Sequence, residues 1–398
     1  MSDIDNKKRK RLGKGWKAAL ISIGSLLGLV VVAVCVVCWL VFTPSKLTGI
    51  VNKVMGDVLT CESHFDNVSL SLFKTFPYAG LAVKDVTLIN PVEGAPSDTL
   101  AHIDELTLAV NTMAFIKDGD ILVKQVYLKD SWANIYVAAD GTANYDIIPS
   151  SEDDDDTSST KLPDCIDIEK VEINNLNAQY IDLQNGLNAR GQNLDIDMKG
   201  NLREGLADIK VSLEGDHLTL SLADSLGRPS LLAEASSMDI DAKGNVAQKM
   251  TDAKVDLDAG NITLSLLDTV GKESLALNLE QPKLKMTAQG ALDDLEGKLT
   301  FSVKDGDLAT AGMDWITKAM KEQKGDLLEV KTPYRANIDE MKLSLTDAEI
   351  SLKEWLVRLA GDVDLPKDDR DLALNVKFST DQWDASELMK VVDRKSVV

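Results

Sequence analysis

Two stretches of this chain return at one fixed offset. LDIDMKGN at 194–201 is echoed by MDIDAKGN at 238–245, and HLTLSL at 217–222 returns as NITLSL at 261–266, each 44 residues further on. A weaker third copy, LKMTAQG, starts at Leu284, 46 residues after Met238. Two motifs that keep one offset mark an array of supersecondary units, whose core has to grow by stacking along the chain. The units fall near 194–237, 238–283 and 284–330.

Inside each unit the apolar residues alternate with polar ones, as in Met238/Ile240/Ala242, Val255/Leu257, Ile262/Leu264/Leu266 and Leu275/Leu277/Leu279. A period of two specifies strands with one apolar face. No helical stretch of crossover length separates them, so antiparallel meanders are expected and a doubly wound parallel sheet is not. The same alternation runs earlier, through Val68/Leu70/Leu72, Leu81/Val83, Val86/Leu88, Leu106/Leu108/Val110, Val126/Leu128 and Ile135/Val137. Its phase breaks at Lys84 and Asp85, which predicts a bulge or bend. Later strands are read at Met341/Leu343/Leu345 and Leu372/Leu374/Val376/Phe378, with short helices expected near Met313–Met320 and Leu352–Leu359.

A sheet with one apolar face must cover it with a second layer, close on itself, or leave a groove for an apolar ligand. Few helices are available as a cover. The expected fold is therefore mainly β: an elongated, repeated antiparallel β-meander groove with few short helices, following one N-terminal transmembrane helix. Roughly twenty strands at about 4.8 Å would extend about 90 Å. The groove is expected to be lined by Leu194, Ile196, Met198, Leu218, Leu220, Leu222, Met238, Ile240, Ile262, Leu264, Leu266, Leu284 and Met286.

Residues 18–42 carry no charge, long enough for a helix to cross a bilayer. Leu20, Ile21, Leu26, Leu29, Val32 and Leu40 would face lipid, with Trp16 and Trp39 at the two interfaces. Lys7, Lys8, Arg9, Lys10, Arg11, Lys14 and Lys17 hold the N-terminal side in the cytoplasm, so the body is exported. A cleavable signal peptide is the competing reading; the long apolar run and the lack of a small-x-small site before Pro44 favour an uncleaved anchor. Leu47, Ile50, Val51, Val54, Met55, Val58 and Leu59 then recur at helical spacing. That short amphipathic helix would cover the open end of the following sheet or lie on the membrane surface.

The net charge of −21 hides an asymmetry, because the tail at 1–17 is basic and the rest strongly acidic. Nucleic acid is excluded as a partner. The organisation expected is a tail at 1–17, the anchor at 18–42, a first β unit at 43–149, a solvated acidic loop at 150–162, repeated groove units over 163–380 and a C-terminal tail at 381–398. Asp153, Asp154, Asp155 and Asp156 in that loop lack the spaced ligands of a calcium site.

No nucleophile elbow, phosphate loop, dinucleotide fingerprint or zinc spacing appears. Of the histidines His64, His102 and His217, the last is replaced by Asn261 in its repeat, which argues against catalysis. Asp195/Asp197 and Asp239/Asp241 alternate with the apolar residues and should face solvent. Cys35 and Cys38 lie in the anchor, leaving only Cys61 and Cys165 for a disulfide. No enzyme activity, cofactor or metal is expected.

The order of basic tail, membrane helix, amphipathic helix, VSLSLF at 68–73, FPYAGLAVKDVTL at 76–88 and GTANYDI at 141–147 resembles the AsmA family of envelope proteins in the form found in Bacteroidota. The resemblance implies an inner-membrane anchor, a periplasmic body of β-groove units of the bridge-like lipid-transfer type, and a role in moving phospholipid, or another lipid, toward the outer membrane. It implies no catalytic residues. A second expectation is a non-enzymatic assembly factor that contacts outer-membrane assembly proteins and influences protein targeting to that membrane. Longer relatives continue with further strands, so this chain is expected to be a fragment or a truncated form.

Overall fold

The computed structural model describes residues 44–380 apart from 72–74, 76, 112, 115–116, 118–121, 148–165, 202–206, 225, 246–250, 292, 311–326, 353–354 and 366–372. The anchor at 18–42, the acidic loop, the helix expected at Met313–Met320 and the tail at 381–398 lie outside the described residues. Among the described residues, no helix is long and apolar enough to cross a membrane.

Helix α1 (Pro44–Val58) opens on proline, whose missing N–H would have no partner in a first helical turn. Leu47, Val51 and Met55, four apart, turn to one side and pack on the sheet. The sheet begins with β1 (Ser63–His64) and β2 (Asn67–Ser71), which lie end to end along β3 (Ala79–Ile89). It continues neighbour to neighbour through β4 (Thr99–Val110), β5 (Val123–Val137), β6 (Ile166–Asp182), β7 (Leu187–Asn201), β8 (Ala207–Ala223) and β9 (Pro229–Asn245).

Beyond β9 the long strands are divided. β10 (Thr251–Asp258) and β11 (Asn261–Leu267) pair with opposite halves of β9. β13 (Lys283–Ala291) follows β10 and β12 (Glu273–Glu280) follows β11; then come β14 (Asp294–Val303) and β15 (Asp305–Thr310). Only the half carrying β14 continues, into β16 (Leu328–Asn337), β17 (Lys342–Leu352), β18 (Trp355–Asp364) and β19 (Ala373–Thr380). Because eight of the 19 strands share four positions, the sheet is fifteen positions wide. At about 4.8 Å per strand that is about 67 Å, shorter than the sequence suggested.

Two expectations need correction. Leu352–Leu359 is a hairpin, not a helix: Leu352 pairs with Trp355 and Ile350 with Val357. The meander also has one parallel step, because β5 and β6 run the same way. The GTANYDI motif begins the crossover this requires. Asn144, fully buried, accepts from the Tyr136 N–H at 2.9 Å and donates to the Asn134 carbonyl at 2.8 Å, while Ile147 accepts from Thr60 N–H beside α1.

The phase break expected at Asp85 is present, with φ of 54°, and it is the first of a series. Asp85, Asp104, Asp130 and Asn175 stand side by side on β3 to β6. The line steps over at β7 and continues through Asn193, Asp216, Ser237, Gly260, Gln281 and Lys304. Asp85, Asp130, Asn175, Asn193, Ser237 and Gln281 are left-handed, and the last three are 44 residues apart, so the repeat carries its own kink. Each kink shifts the alternation by one residue and keeps the apolar side chains of both half-strands on one face. Side chains tie the crease together: Asn175 Nδ2 donates to Asp130 Oδ1 at 2.8 Å, Asn175 N–H to Asp195 Oδ1 at 2.7 Å, and Asn193 Nδ2 to Asp216 Oδ2 at 2.7 Å. The first of these holds the Asp130 carboxyl below its ordinary pKa.

Left-handed backbone disfavours residues with a Cβ, and β-branched ones most. Ser237→Val is therefore expected to be less stable than Ser237→Gly by about 1–2 kcal/mol in denaturant unfolding; equal stabilities would mean that the kink can relax.

Candidate lipid-binding groove

The crease and the register arrange the apolar residues into rows crossing the strands. One row runs Val68, Val83, Leu106, Leu128, Ile173, Ile196, Leu213, Ile240, Leu257, Leu284, Phe301, Val330, Ile350 and Val357, each paired with the next on the neighbouring strand. Partners in a ladder point to the same face, so the row is one continuous apolar track. A second track on the same side of the crease joins Met198, Val211, Ala242, Val255, Met286 and Leu299.

Across the crease, Leu220, Ala233, Leu264 and Leu277 form a third row, flanked by Leu218/Ala235/Ile262/Leu279 and Leu222/Leu231/Leu266/Leu275. Eleven of the thirteen expected lining residues fall in these rows, Leu194 and Met238 apart. Leu213, Leu257, Phe301, Val330 and Ile350, not among the expected lining residues, join them through strand pairing.

The cover over this face changes along its length. At the start, Val68 and Val83 are 2% and 1% exposed, because Leu47 and Val51 of α1 pack on them with Leu81, Val86 and Ile103. From Leu106 to Val357 every member of the first row is only half-buried. Leu220 and Leu266 are each 37% exposed. The amphipathic helix thus packs over one end of the apolar face.

Leu194 differs from the other lining residues, being buried at the crease. Its methyl groups lie over Gly191 and Gly215, where an added Cβ would come within 2.6 and 2.8 Å of them. It floors the groove. Met238 lies beside it, paired with Gly215, and remains half-exposed. The anchor residues Leu20, Ile21, Leu26, Leu29, Val32, Trp39 and Leu40 lie outside the described residues.

The opposite face is polar. Asp195, Asp239 and Asp241 are exposed there, as their alternation with Leu194, Ile196 and Ile240 required. Cys61 is a free, half-buried thiol whose pKa burial pushes up, and Cys165 lies outside the described residues. His102 brings a ligand atom within 4.8 Å of those of Asp85 and Asp104. Its nitrogens, however, already meet protein atoms, Nδ1 at 3.0 Å from Thr87 Oγ1 and Nε2 at 3.2 Å from Asp104 Oδ1, and Trp132 stacks near it at 5.9 Å. Among the described residues the apolar face is left half-exposed beyond α1, and a long apolar chain laid along it would remove that surface from water.

No curated protein and no solved structure matches this chain. A family model does: described as the AsmA family, it covers residues 13–372, from the basic tail to the start of β19, and this chain therefore belongs to the AsmA family.

Proposed function

We propose that the protein holds or conducts phospholipid along its apolar groove, from the inner membrane toward the outer membrane, and performs no covalent chemistry. The observation carrying this is the first apolar row, capped by α1 at one end and half-exposed over the rest of its length. Acyl chains laid across it would remove apolar surface from water at about 25 cal/mol per Å². Family membership supports a role in the envelope connected with lipid. In this reading residues 18–42 anchor the chain in the inner membrane, the basic tail stays in the cytoplasm and the body lies in the periplasm.

Mass spectrometry of lipids co-purified with the detergent-solubilised chain should find diacyl phospholipid above background; recovering none would sink the proposal. Leu264 lies in the apolar rows, whereas Thr263 pairs with Asn278 and Glu234 on the polar face. Leu264→Asp should lower lipid retention by about tenfold or more, since it sets a carboxylate against an acyl chain, and Thr263→Asp should leave it unchanged.

A second reading rests on β19, which has no further strand beside it among the described residues and exposes Leu374 and Phe378 by 64% and 78%. An unpaired edge of this kind accepts an added strand. An assembly factor would use it to hold β-barrel precursors. Site-specific crosslinking from β19 that captured precursors, with no lipid in the groove, would favour this role.

A further inference from the structure

The repeat carries a second pattern, on the polar face. Lys199 and Lys243 are 44 residues apart, and so are Lys210 and Lys254. The register sets them beside one another: Lys170 pairs with Lys199, Lys199 with Lys210, Lys210 with Lys243, and Lys243 with Lys254. Five lysines therefore stand in one row across β6 to β10, about 19 Å long at the usual strand spacing. Like charges directly opposed destabilise a sheet. In a chain of net charge −21, such a row does not follow from a basic composition.

Carboxylates one step closer to the crease relieve part of the repulsion. Lys170 Nζ lies 2.6 Å from Glu172, Lys199 Nζ lies 2.7 Å from Asp197, and Lys254 is paired with Asp256. For Lys210 the corresponding position is Ser212. Neither Lys210 nor Lys243 has an ion-pair partner among the described residues. These two and Lys254 line a cleft of about 220 Å³, with Asp252 as its one carboxylate. Ile209 and Gly244 also form part of its rim. Gly244 pairs with Ile209 on one side and Ala253 on the other, and Ile209 alternates along β8 with Val211 and Leu213 of the apolar rows.

We propose that this cleft binds a phosphate group. Against Asp252 and the Asp256 that already pairs with Lys254, the three ammonium groups leave an excess of one positive charge, and each ammonium offers three rotatable donors to phosphate oxygens. The lysine stems can lie along the rim with their charged ends at the anion. The phosphate comes either from a lipid headgroup, whose tails occupy the adjoining groove, or from free phosphate. The site stands on the lysine geometry alone; only the lipid origin of the phosphate rests on the groove function proposed above.

The test uses the full chain in detergent and three probes: dioleoylphosphatidylglycerol, dioleoylglycerol with the same tails and no phosphate, and inorganic phosphate. It compares wild type with Lys210→Gln/Lys243→Gln and with Lys377→Gln, an exposed lysine on β19 far from the row. Each exposed contact contributes a few-fold, so the double variant should weaken phosphatidylglycerol binding roughly tenfold. Dioleoylglycerol binding should not change, and Lys377→Gln should match wild type. If instead only inorganic phosphate is weakened, the cleft stands and its ligand is free phosphate. If the double variant binds both phosphate-bearing probes as wild type does, the proposal is overturned. Failure of the groove reading looks different: neither diacyl probe binds wild type, while lysine-dependent phosphate binding can persist.

Discussion

Leu47→Ala is expected to destabilise the α1 end of the protein by about 2–5 kcal/mol, while Leu264→Ala costs less than about 1 kcal/mol. The same side chain is removed twice, in two environments. Leu47 is 2% exposed and wedged among Val51, Val68, Leu81, Val83 and Val86, so its loss leaves a cavity that the helix can close only by shifting. Leu264 already meets solvent on one side, and its truncation opens no enclosed space. Hydrogen exchange resolved to β2–β4 and to β9–β12 reads the two ends separately, which matters because an elongated sheet need not unfold in one step. Equal costs in lipid-free protein would mean that the face around Leu264 is covered by a layer of protein, and the groove would be lost with it.

The second large effect concerns Gly297, where substitution by alanine should cost about 1–3 kcal/mol. An added Cβ would stand 1.9 Å from the Thr287 carbonyl oxygen and 2.8 Å from the Tyr334 ring. Neither can withdraw easily. Tyr334 lies across the glycine and donates its hydroxyl to that same carbonyl at 2.9 Å, joining β16 to β13 over β14. Gly49, in α1 with nothing within 4 Å of an added Cβ, is the natural contrast. Gly49→Ala should stabilise by about 0.5–1 kcal/mol through helix propensity. Should Gly297→Ala prove as harmless in thermal unfolding, the β13–β14–β16 packing described above would be wrong.

Much of this architecture was legible because alternation and repetition are local. The period of two in Ile262/Leu264/Leu266 marks a strand and its apolar face without reference to partners, and the 44-residue echo marks the unit. The spacing of Leu47, Val51 and Met55 likewise identified the capping helix. What failed depended on pairing. Leu352, Trp355, Leu356 and Leu359 show helical spacing because a tight hairpin sets residue i opposite i+3, as in the Leu352–Trp355 pair. The sequence implies a wider sheet because a strand broken at Gly260 or Gln281 looks like two strands side by side. The parallel step from β5 to β6 has no local signature, since it depends on where the crossover returns. For the same reason the lysine row, repeated in plain view at 199/243 and 210/254, acquires meaning only once the register puts β7 beside β8 and β9 beside β10.

The kinks at Asn193, Ser237 and Gln281 fall once per 44 residues, with Asp216, Gly260 and Lys304 opposite them at the same interval. A unit therefore begins and ends in the same phase of the bend. Duplicating or deleting one unit changes the span by two strand positions, about 10 Å, and the flanking units still meet in register. Length in this body is thus quantised in steps of one unit, and a duplication within the gene would lengthen it without redesigning any single residue.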